Sequence, residues 1–288
     1  MNGRAFHKVY VCVFTYLKSR SVHAELVYNM DAISLVNAIV RFVARRPGVQ
    51  TFVSDNGSNL SAANKDIRAQ LGEWNASSTR ELQKRGISWT FIPPRAPHRG
   101  GIWERVVAMF KCHLAALSMV DPLHVDALGT LIVEIEAIIN KRPITAISTD
   151  PSDFEALTPA HILYPAMMTH SSATIVPTNT LDEIGEHRAS WKRVQARVNA
   201  FWLQWRREYV ISLHERKKWT STQKDLENGD LVIMVDEQVY RGEWRLARVI
   251  DAMNDGVHCR KAIVKTADGK TFERDRTKLV QLELDGDS

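Results

Sequence analysis

The sequence predicts an α/β domain followed by a long basic helix and a small all-β domain. Strand-like and helix-like segments alternate in roughly the first half of the chain, one helical period spans residues 191–209, and short strands separated by turns fill the end. With 288 residues, of which 44% are hydrophobic, the chain can build two packed domains. We place the boundary near Pro177, between domains at residues 1–177 and 178–288.

Positive charge is concentrated in one part of the sequence. The whole chain has 38 Lys and Arg against 33 Asp and Glu, a formal net charge of +5. Residues 188–224 alone contain ten Lys or Arg and two Glu, a formal excess of +8. Such a local excess favours a polyanion as partner.

Cysteine spacing and hydropathy exclude several classes of protein. Cys12, Cys112 and Cys259 lie far apart, so neither a disulfide framework nor a structural zinc site is indicated. No uncharged apolar run approaches the roughly 20 residues that a membrane span needs. We therefore expect a soluble, intracellular protein without a membrane partner.

The first domain begins with a predicted hairpin. β-branched and aromatic residues fill Val9–Leu17 and Val22–Val27, with a polar turn between the two runs. A helix follows at Asp31–Ala44 and a short strand at Gln50–Ser54. After a polar helix, a further strand is predicted at Ser88–Ile92, and this alternation favours an α/β sheet.

Two helices and a connection complete the first domain. A loop rich in Pro and Gly, residues 93–101, leads into a helix at about Ile102–Met119. Asp121 as N-cap and Pro122 as first residue predict the start of the next helix. Its predicted buried stripe is Leu128, Leu131, Ile132, Ile135, Ile138 and Ile139. Residues 146–177 show no period and are predicted to connect the domains over the surface of the first.

The second domain is predicted to be a long amphipathic helix and a small five-stranded all-β barrel. The apolar face of the helix recurs every three or four positions, at Trp191, Val194, Val198, Phe201, Trp205 and Tyr209. Turns separate the strands of the barrel, which are predicted at Leu231–Val235, Trp244–Ile250, His258–Thr266, Thr271–Arg274 and Lys278–Leu282.

Two acidic residues are candidates for chemistry. Asp55 ends a predicted strand, where open α/β sheets place functional groups, although Asp-Asn-Gly is also an ordinary turn. Glu104 lies in the first turn of its helix, where the dipole also favours an acid for structural reasons. Helical spacing puts Glu104 on one face with Lys111. Paired carboxylates that hold Mg²⁺ beside a lysine suit phosphoryl transfer.

Several sequence strings, taken in order, resemble those of BEL/Pao retrotransposon integrases. In the first domain they are Ser54–Leu60, Pro93–Arg105, Asn140–Pro143 and Leu157–His161. In the second domain they are Phe201–Tyr209, Arg216–Trp219, Asn228–Val232 and Trp244–Val249. The resemblance spans about Lys8 to Leu282.

The resemblance implies a ribonuclease H-like core with a DDE triad of acids that binds Mg²⁺ or Mn²⁺. Asp55 corresponds to the second acid and Glu104 to the third, both as catalytic metal ligands. The first acid of the family lies on a strand upstream of the hairpin, and residues 1–7 contain no Asp or Glu. We therefore expect the first strand of the core to be missing and the triad to be incomplete. Glu25 and Asp31 are more simply a surface residue and a helix cap than replacements.

The resemblance also implies DNA as partner, at element ends and in target DNA, with a homo-oligomer in the nucleus and chromatin contact through the second domain. The basic face of the tail helix is either a solvated surface or a phosphate-binding one, and we favour the second. The candidate nucleic-acid-binding residues are Asn56, His98, Arg99, Lys111, Lys192, Arg193, Arg197, Arg206, Arg245 and Arg248.

Three hypotheses follow from the sequence. The first is an integrase fragment whose strand-transfer activity is impaired because an acid is absent. The second is a non-catalytic DNA-binding module derived from an integrase. The third is a decayed fragment without function. DNA binding that weakens steeply with salt distinguishes the second hypothesis from the third, and metal-dependent strand transfer distinguishes the first from both.

Overall fold

The chain divides into two compact units, Met1–Pro122 and Leu123–Ser288. The computed structural model describes residues 8–46, 48–54, 86–92, 123–148, 150–164, 185–215, 225–235, 239–254 and 259–282, and helical residues 103–104, 106–108 and 110–111.

The first unit opens with the predicted hairpin and helix. Strands β1, Tyr10–Thr15, and β2, Val22–Val27, pair antiparallel. Helix α1, Ala32–Arg45, begins after Asp31, whose carboxylate accepts a hydrogen bond from the Ser34 N–H at 2.7 Å. This bond lowers the pKa of Asp31 and confirms its predicted role as N-cap.

A parallel strand pair follows in the same unit. Strands β3, Thr51–Ser54, and β4, Ser88–Phe91, run side by side in the same direction. The ladder continues past β4, where the Ile92 N–H donates to the Ser54 carbonyl at 2.9 Å. The two strands therefore end at the same edge, as α/β sheets built from alternating elements do.

Both strand pairs pack against α1. In the described residues they form two separate two-stranded sheets, without hydrogen bonds between β1 and β3. The ring of Phe14 on β1 stacks on that of Phe42 on α1 at 4.3 Å, and the ring of Phe52 on β3 lies 5.9 Å from Phe42. One helix thus supplies the common core of two sheets that do not pair with each other.

The second unit opens with helix α2, Val125–Asn140. Its N-cap is His124, which has an extended backbone, so the predicted start at Asp121 and Pro122 is wrong. Asp126 supplies the acid of the first turn. The predicted apolar stripe is confirmed at Leu131, Ile132, Ile135, Ile138 and Ile139, which are buried, whereas Leu128 is half-buried.

The segment after α2 contains regular structure that the sequence did not predict. Strands β5, Thr145–Ala146, and β6, Ala156–Leu157, pair antiparallel, and the short helix α3 spans Pro159–Leu163. Thr158 and His161 cap this helix reciprocally: the Thr158 hydroxyl accepts from the His161 N–H, and the His161 ring accepts from the Thr158 N–H. Elements of two to five residues are too short to show a period.

Helix α4, Gly185–Glu215, packs against α2. The Glu134 carboxylate accepts from the Gln195 amide at 2.7 Å and pairs with the Arg241 guanidinium at 2.9 Å. These contacts hold both helices in the second unit. The domain boundary predicted near Pro177 would separate them, so it differs from the division into compact units.

One side of α4 is buried and the other is exposed. The predicted positions Val194, Val198, Phe201 and Tyr209 are buried. Trp205 is half-buried, and Trp191 is 37% exposed and therefore lies outside this face. Trp202 and Val210 are buried in addition. In the described part of the chain, no helix is both long and apolar enough to cross a membrane.

The last five strands form one antiparallel sheet in the order β10-β9-β8-β7-β11. Their bounds are β7 Leu231–Met234, β8 Leu246–Asn254, β9 Cys259–Thr266, β10 Thr271–Asp275 and β11 Leu279–Gln281. A 3-10 turn, Arg276–Lys278, joins β10 to β11, the two edge strands. The five predicted strands are thus present, and closure of the sheet into a barrel stays a prediction.

Cys12 on β1 reports whether the first unit packs as described. Burial, and then the negative charge of Glu25, raise the pKa of the Cys12 thiol to about 12. With Cys112 and Cys259 replaced by alanine, we expect alkylation at pH 8 to be about a thousandfold slower in the folded than in the urea-unfolded chain. Mass spectrometry over time measures the rates. Equal rates would contradict the packing of β1 described here.

Candidate active site and nucleic-acid interface

The edge where β3 and β4 end is the candidate active-site edge. Asp55 directly follows β3, and the loop at residues 93–101 directly follows Ile92. Just before Asp55, the Ser54 hydroxyl accepts a hydrogen bond from the Trp89 indole N–H at 2.9 Å. Both segments therefore leave the parallel pair at one edge. Asp55, Asn56, His98 and Arg99 themselves lie outside the described residues.

Glu104 and Lys111 lie on a helix with one buried side. Where residues 103–111 are described they are helical, with Phe110 buried and Trp103 half-buried. Glu104, Ala108 and Lys111 are exposed, as predicted for one shared helix face. A carboxylate and an ammonium group are thus presented to solvent from the same side of this helix.

Glu25, the acidic residue nearest to the start of the sequence, makes ion pairs with several basic side chains. Its buried carboxylate lies 3.0 Å from the His23 ring nitrogen and accepts from the Arg41 guanidinium at 2.7 Å. The Arg45 guanidinium is a third partner. Glu25 is therefore a structural acid, although it is buried and not the surface residue that the sequence predicted.

The described residues contain no group of three or more His, Cys, Asp or Glu that could hold a metal ion. Glu104 does suit the predicted metal in its chemistry, since Mg²⁺ and Mn²⁺ prefer carboxylate oxygens and this carboxylate is exposed. Asp55, the other predicted ligand, lies outside the described residues.

Arg248 is a structural residue, which corrects the prediction that it contacts nucleic acid. It lies on β8 and is 4% exposed. Its guanidinium donates to three backbone carbonyls, those of Gly229 at 2.7 Å, Ser148 at 2.8 Å and Asp153 at 2.9 Å. Arg248 thus ties the segment between β5 and β6 to the turn before β7, and its donors face away from solvent.

Other residues in the sequence strings that resemble integrases also make contacts within the second unit. Gly229 has a φ of 97°, which favours glycine, in the turn that Arg248 binds. The Asp230 carboxylate accepts from the Gln281 amide at 2.7 Å. Tyr209 donates its hydroxyl to the Pro143 carbonyl at 2.5 Å, and its ring packs on Trp244. These strings therefore specify packing within the second unit.

Helix α4 carries exposed cationic side chains. Lys192 and Arg193 are exposed, while Arg197 and Arg206 are half-buried. Arg207 is exposed too, although the sequence analysis did not select it as a contact residue. Lys192, Arg193 and Arg207 therefore expose positive charge to solvent.

On strands β8 to β10, one face of the sheet carries charges of both signs. Lys261 and Lys265 of β9 lie among Asp251, Glu273 and Asp275 on the neighbouring strands. The Lys261 ammonium is 2.9 Å from the Glu273 carboxylate, which raises the pKa of Lys261. A mixed face of this kind attracts polyanions weakly.

The other face of β10 carries cations at its rim. The Arg245 guanidinium lies 4.6 Å from the centre of the Phe272 ring, and the Arg274 guanidinium lies 5.1 Å from it. We call Arg245, Phe272 and Arg274 the Phe272 rim. Sequence analysis found Arg245 only. The alternation along β10, which puts Phe272 and Arg274 on one face, is the signal that could have found the others.

Comparisons with known proteins bear on both units. A family model, DUF5641, described as a family of unknown function, matches residues 189–282, which is less than half of the chain. No curated protein matches the chain.

Two solved structures are similar to the chain. A chain of the simian T-cell lymphotropic virus intasome in complex with PP2A regulatory subunit B56 gamma has 12% identity and a TM-score of 0.35, covering 96% of this chain and 78% of that one. The catalytic core domain of BIV integrase has 23% identity and a TM-score of 0.36, covering 57% and 92%. TM-scores this low do not establish a shared fold, so the ribonuclease H-like core stays a prediction.

The structural role of Arg248 can be tested by removing its charge. We expect Arg248→Met to lower the free energy of unfolding by about 3 kcal/mol or more, because three partly buried carbonyls lose a charged donor. Arg245→Met, at a half-buried position, should cost less than about 1 kcal/mol. Urea unfolding followed by tryptophan fluorescence measures both. Equal losses would contradict the role assigned to Arg248.

Proposed function

We propose that this chain is an integrase-derived protein that binds DNA and whose strand-transfer chemistry is impaired. The reaction class is metal-dependent polynucleotidyl transfer, as in the BEL/Pao integrases that the sequence resembles. The DNA would be element ends and target DNA, bound by a homo-oligomer in the nucleus, with chromatin contact through the second domain.

The observation that carries the proposal is the parallel pairing of β3 with β4. The Ile92 N–H bond to the Ser54 carbonyl brings the two strand ends to one edge. From that edge leave the segment that begins with Asp55 and the segment that leads to Glu104. This is the arrangement in which open α/β sheets assemble catalytic carboxylates from separate stretches of chain.

Each residue at this edge has a proposed role. The carboxylates of Asp55 and Glu104 would hold Mg²⁺ or Mn²⁺, which when bound stabilises the attacking and leaving oxygens of an in-line displacement. Lys111, exposed on the same helix face as Glu104, would contact a phosphate of the DNA. Asn56, His98 and Arg99 would position DNA beside the metal ligands.

The impairment is proposed from the strand arrangement and the sequence. In the described residues, β1 and β3 share the core of α1 without pairing to each other. In the resembling family a strand upstream of the hairpin carries the first acid. The first acidic residue of this sequence is Glu25, and its carboxylate is held by two arginines and a histidine.

A second candidate function is DNA binding without catalysis. The exposed cations Lys192, Arg193 and Arg207 on α4 favour it, because phosphate contacts need only accessible positive charge. Binding through such a surface does not require the carboxylates of the first unit.

Strand transfer tests the proposed chemistry. We expect no transfer of labelled DNA ends by the 288-residue chain in Mg²⁺ or Mn²⁺, and transfer by a form extended upstream by a strand that carries an acid. Glu104→Gln in the extended form should abolish the activity, because it removes a metal-binding carboxylate. Gel analysis of joined products measures the yield.

Asp126→Asn is the matched control for Glu104→Gln. Asp126 is also an exposed acid in the first turn of a helix, with a side chain 94% exposed. Its replacement should leave transfer unchanged. Transfer by the 288-residue chain itself would contradict the proposed impairment, and transfer that survives Glu104→Gln would contradict the role of Glu104.

DNA binding tests the α4 surface. We expect the logarithm of the affinity for duplex DNA to fall linearly with the logarithm of salt concentration. Replacing Lys192, Arg193 and Arg207 with Gln should lower the slope by up to about 2.7, since each phosphate contact contributes about 0.9. Fluorescence anisotropy measures the binding.

The control for this surface removes the same charge from the sheet. Lys265, Lys270 and Lys278 are exposed, and their replacement with Gln changes the net charge equally. The slope should then stay as in the unmodified chain. Equal effects of the two triple variants would show that total charge, not the α4 surface, determines binding.

A further inference from the structure

Ser54, the last residue of β3, accepts hydrogen bonds through both of its oxygen atoms. Its hydroxyl accepts from the Trp89 indole N–H at 2.9 Å. Its backbone carbonyl accepts from the Ile92 N–H, also at 2.9 Å. Donors on β4 and on the residue that follows it therefore hold the side chain and the main chain of Ser54 at the same time.

The position of Trp89 is set by packing within the first unit. In the parallel pair of strands Trp89 lies beside Phe52, and the centres of the two rings are 6.1 Å apart. Phe52 and Ser54 are two positions apart on β3, so their side chains leave the strand on the same face. The indole also packs against the buried cluster of Leu35, Ile39 and Ile87. Trp89 thus extends from the core of α1 to the end of β3.

These two bonds restrict how the chain leaves β3. The Ser54 carbonyl belongs to the planar peptide group that joins Ser54 to Asp55, so the bond from Ile92 limits the rotation of that plane. A serine hydroxyl without a firm partner competes for backbone groups of neighbouring residues and favours other turns. The indole N–H of Trp89 engages the hydroxyl and disfavours those alternatives.

We propose that Trp89 is a positioning residue for the Asp55 carboxylate and acts through the Ser54 hydroxyl. This inference rests on the proposed function, in which Asp55 and Glu104 would hold Mg²⁺ or Mn²⁺. An indole N–H is a donor only, so Trp89 is not itself a metal ligand. Groups that orient a ligand nevertheless contribute to metal affinity, because they reduce the number of conformations that the ligand must give up.

The test measures the affinity of the full chain for Mn²⁺ by electron paramagnetic resonance of the free ion. Trp89→Phe keeps an aromatic ring but removes the N–H, and the affinity should fall on the order of tenfold. Ser54→Ala should cause the same loss. The double variant should lose no more than either single one, because both changes remove the same hydrogen bond. Ser54→Thr keeps the hydroxyl and should bind Mn²⁺ as the unmodified chain does.

Trp244→Phe is the matched control, because the Trp244 indole N–H has no acceptor within the described part of the chain. Its affinity for Mn²⁺ should be unchanged, and thermal melting should show that all variants fold. If Trp89→Phe does not fold, the difference between Ser54→Ala and Ser54→Thr decides.

Two sets of outcomes separate this inference from the proposed function. Additive losses in the double variant, or unchanged affinity in Trp89→Phe while Asp55→Asn weakens binding, would overturn the positioning role alone. Unchanged affinity in Asp55→Asn, or no saturable Mn²⁺ binding by the unmodified chain, would overturn the proposed metal ligands as well.

Discussion

The second unit depends on one buried cation. Arg248 donates to carbonyls from the β5–β6 connection and from the turn before β7, so a single guanidinium joins segments about 20 and 100 positions away in sequence. Burying a charge is tolerated only when its donors are satisfied, which here requires all three carbonyls to be in place. The positions of the connection and of the turn are therefore coupled through this residue.

Side chains that hold the second unit together are not available to bind a ligand. Tyr209, Trp244 and Arg248 belong to strings that resemble a DNA-acting family, yet their side chains bind other parts of the unit. Exposed cations of this unit include Lys192, Arg193 and Arg207 on α4. In the first unit, Glu25 is likewise held in ion pairs, whereas Glu104 is exposed.

Sequence patterns predicted the elements that have a long or strong period. The β-branched and aromatic runs of β1 and β2, the cap at Asp31 and most of the stripe of α2 are present in the structure. The partners of individual arginines could not be predicted, since Arg248 and Arg245 look alike in sequence and differ only in what packs over them. The two-residue strands β5 and β6 also escaped prediction, because their pairing depends on tertiary contacts.

The most direct test of the account is a side-chain oxidation footprint of the full chain with and without duplex DNA, read by mass spectrometry. If the exposed cations of α4 form the interface, DNA should protect the neighbouring side chain of Leu203 on the same helix. Ile250 and Met253 on β8 should stay equally reactive. Protection of the β8 residues, with Leu203 unchanged, would contradict the account.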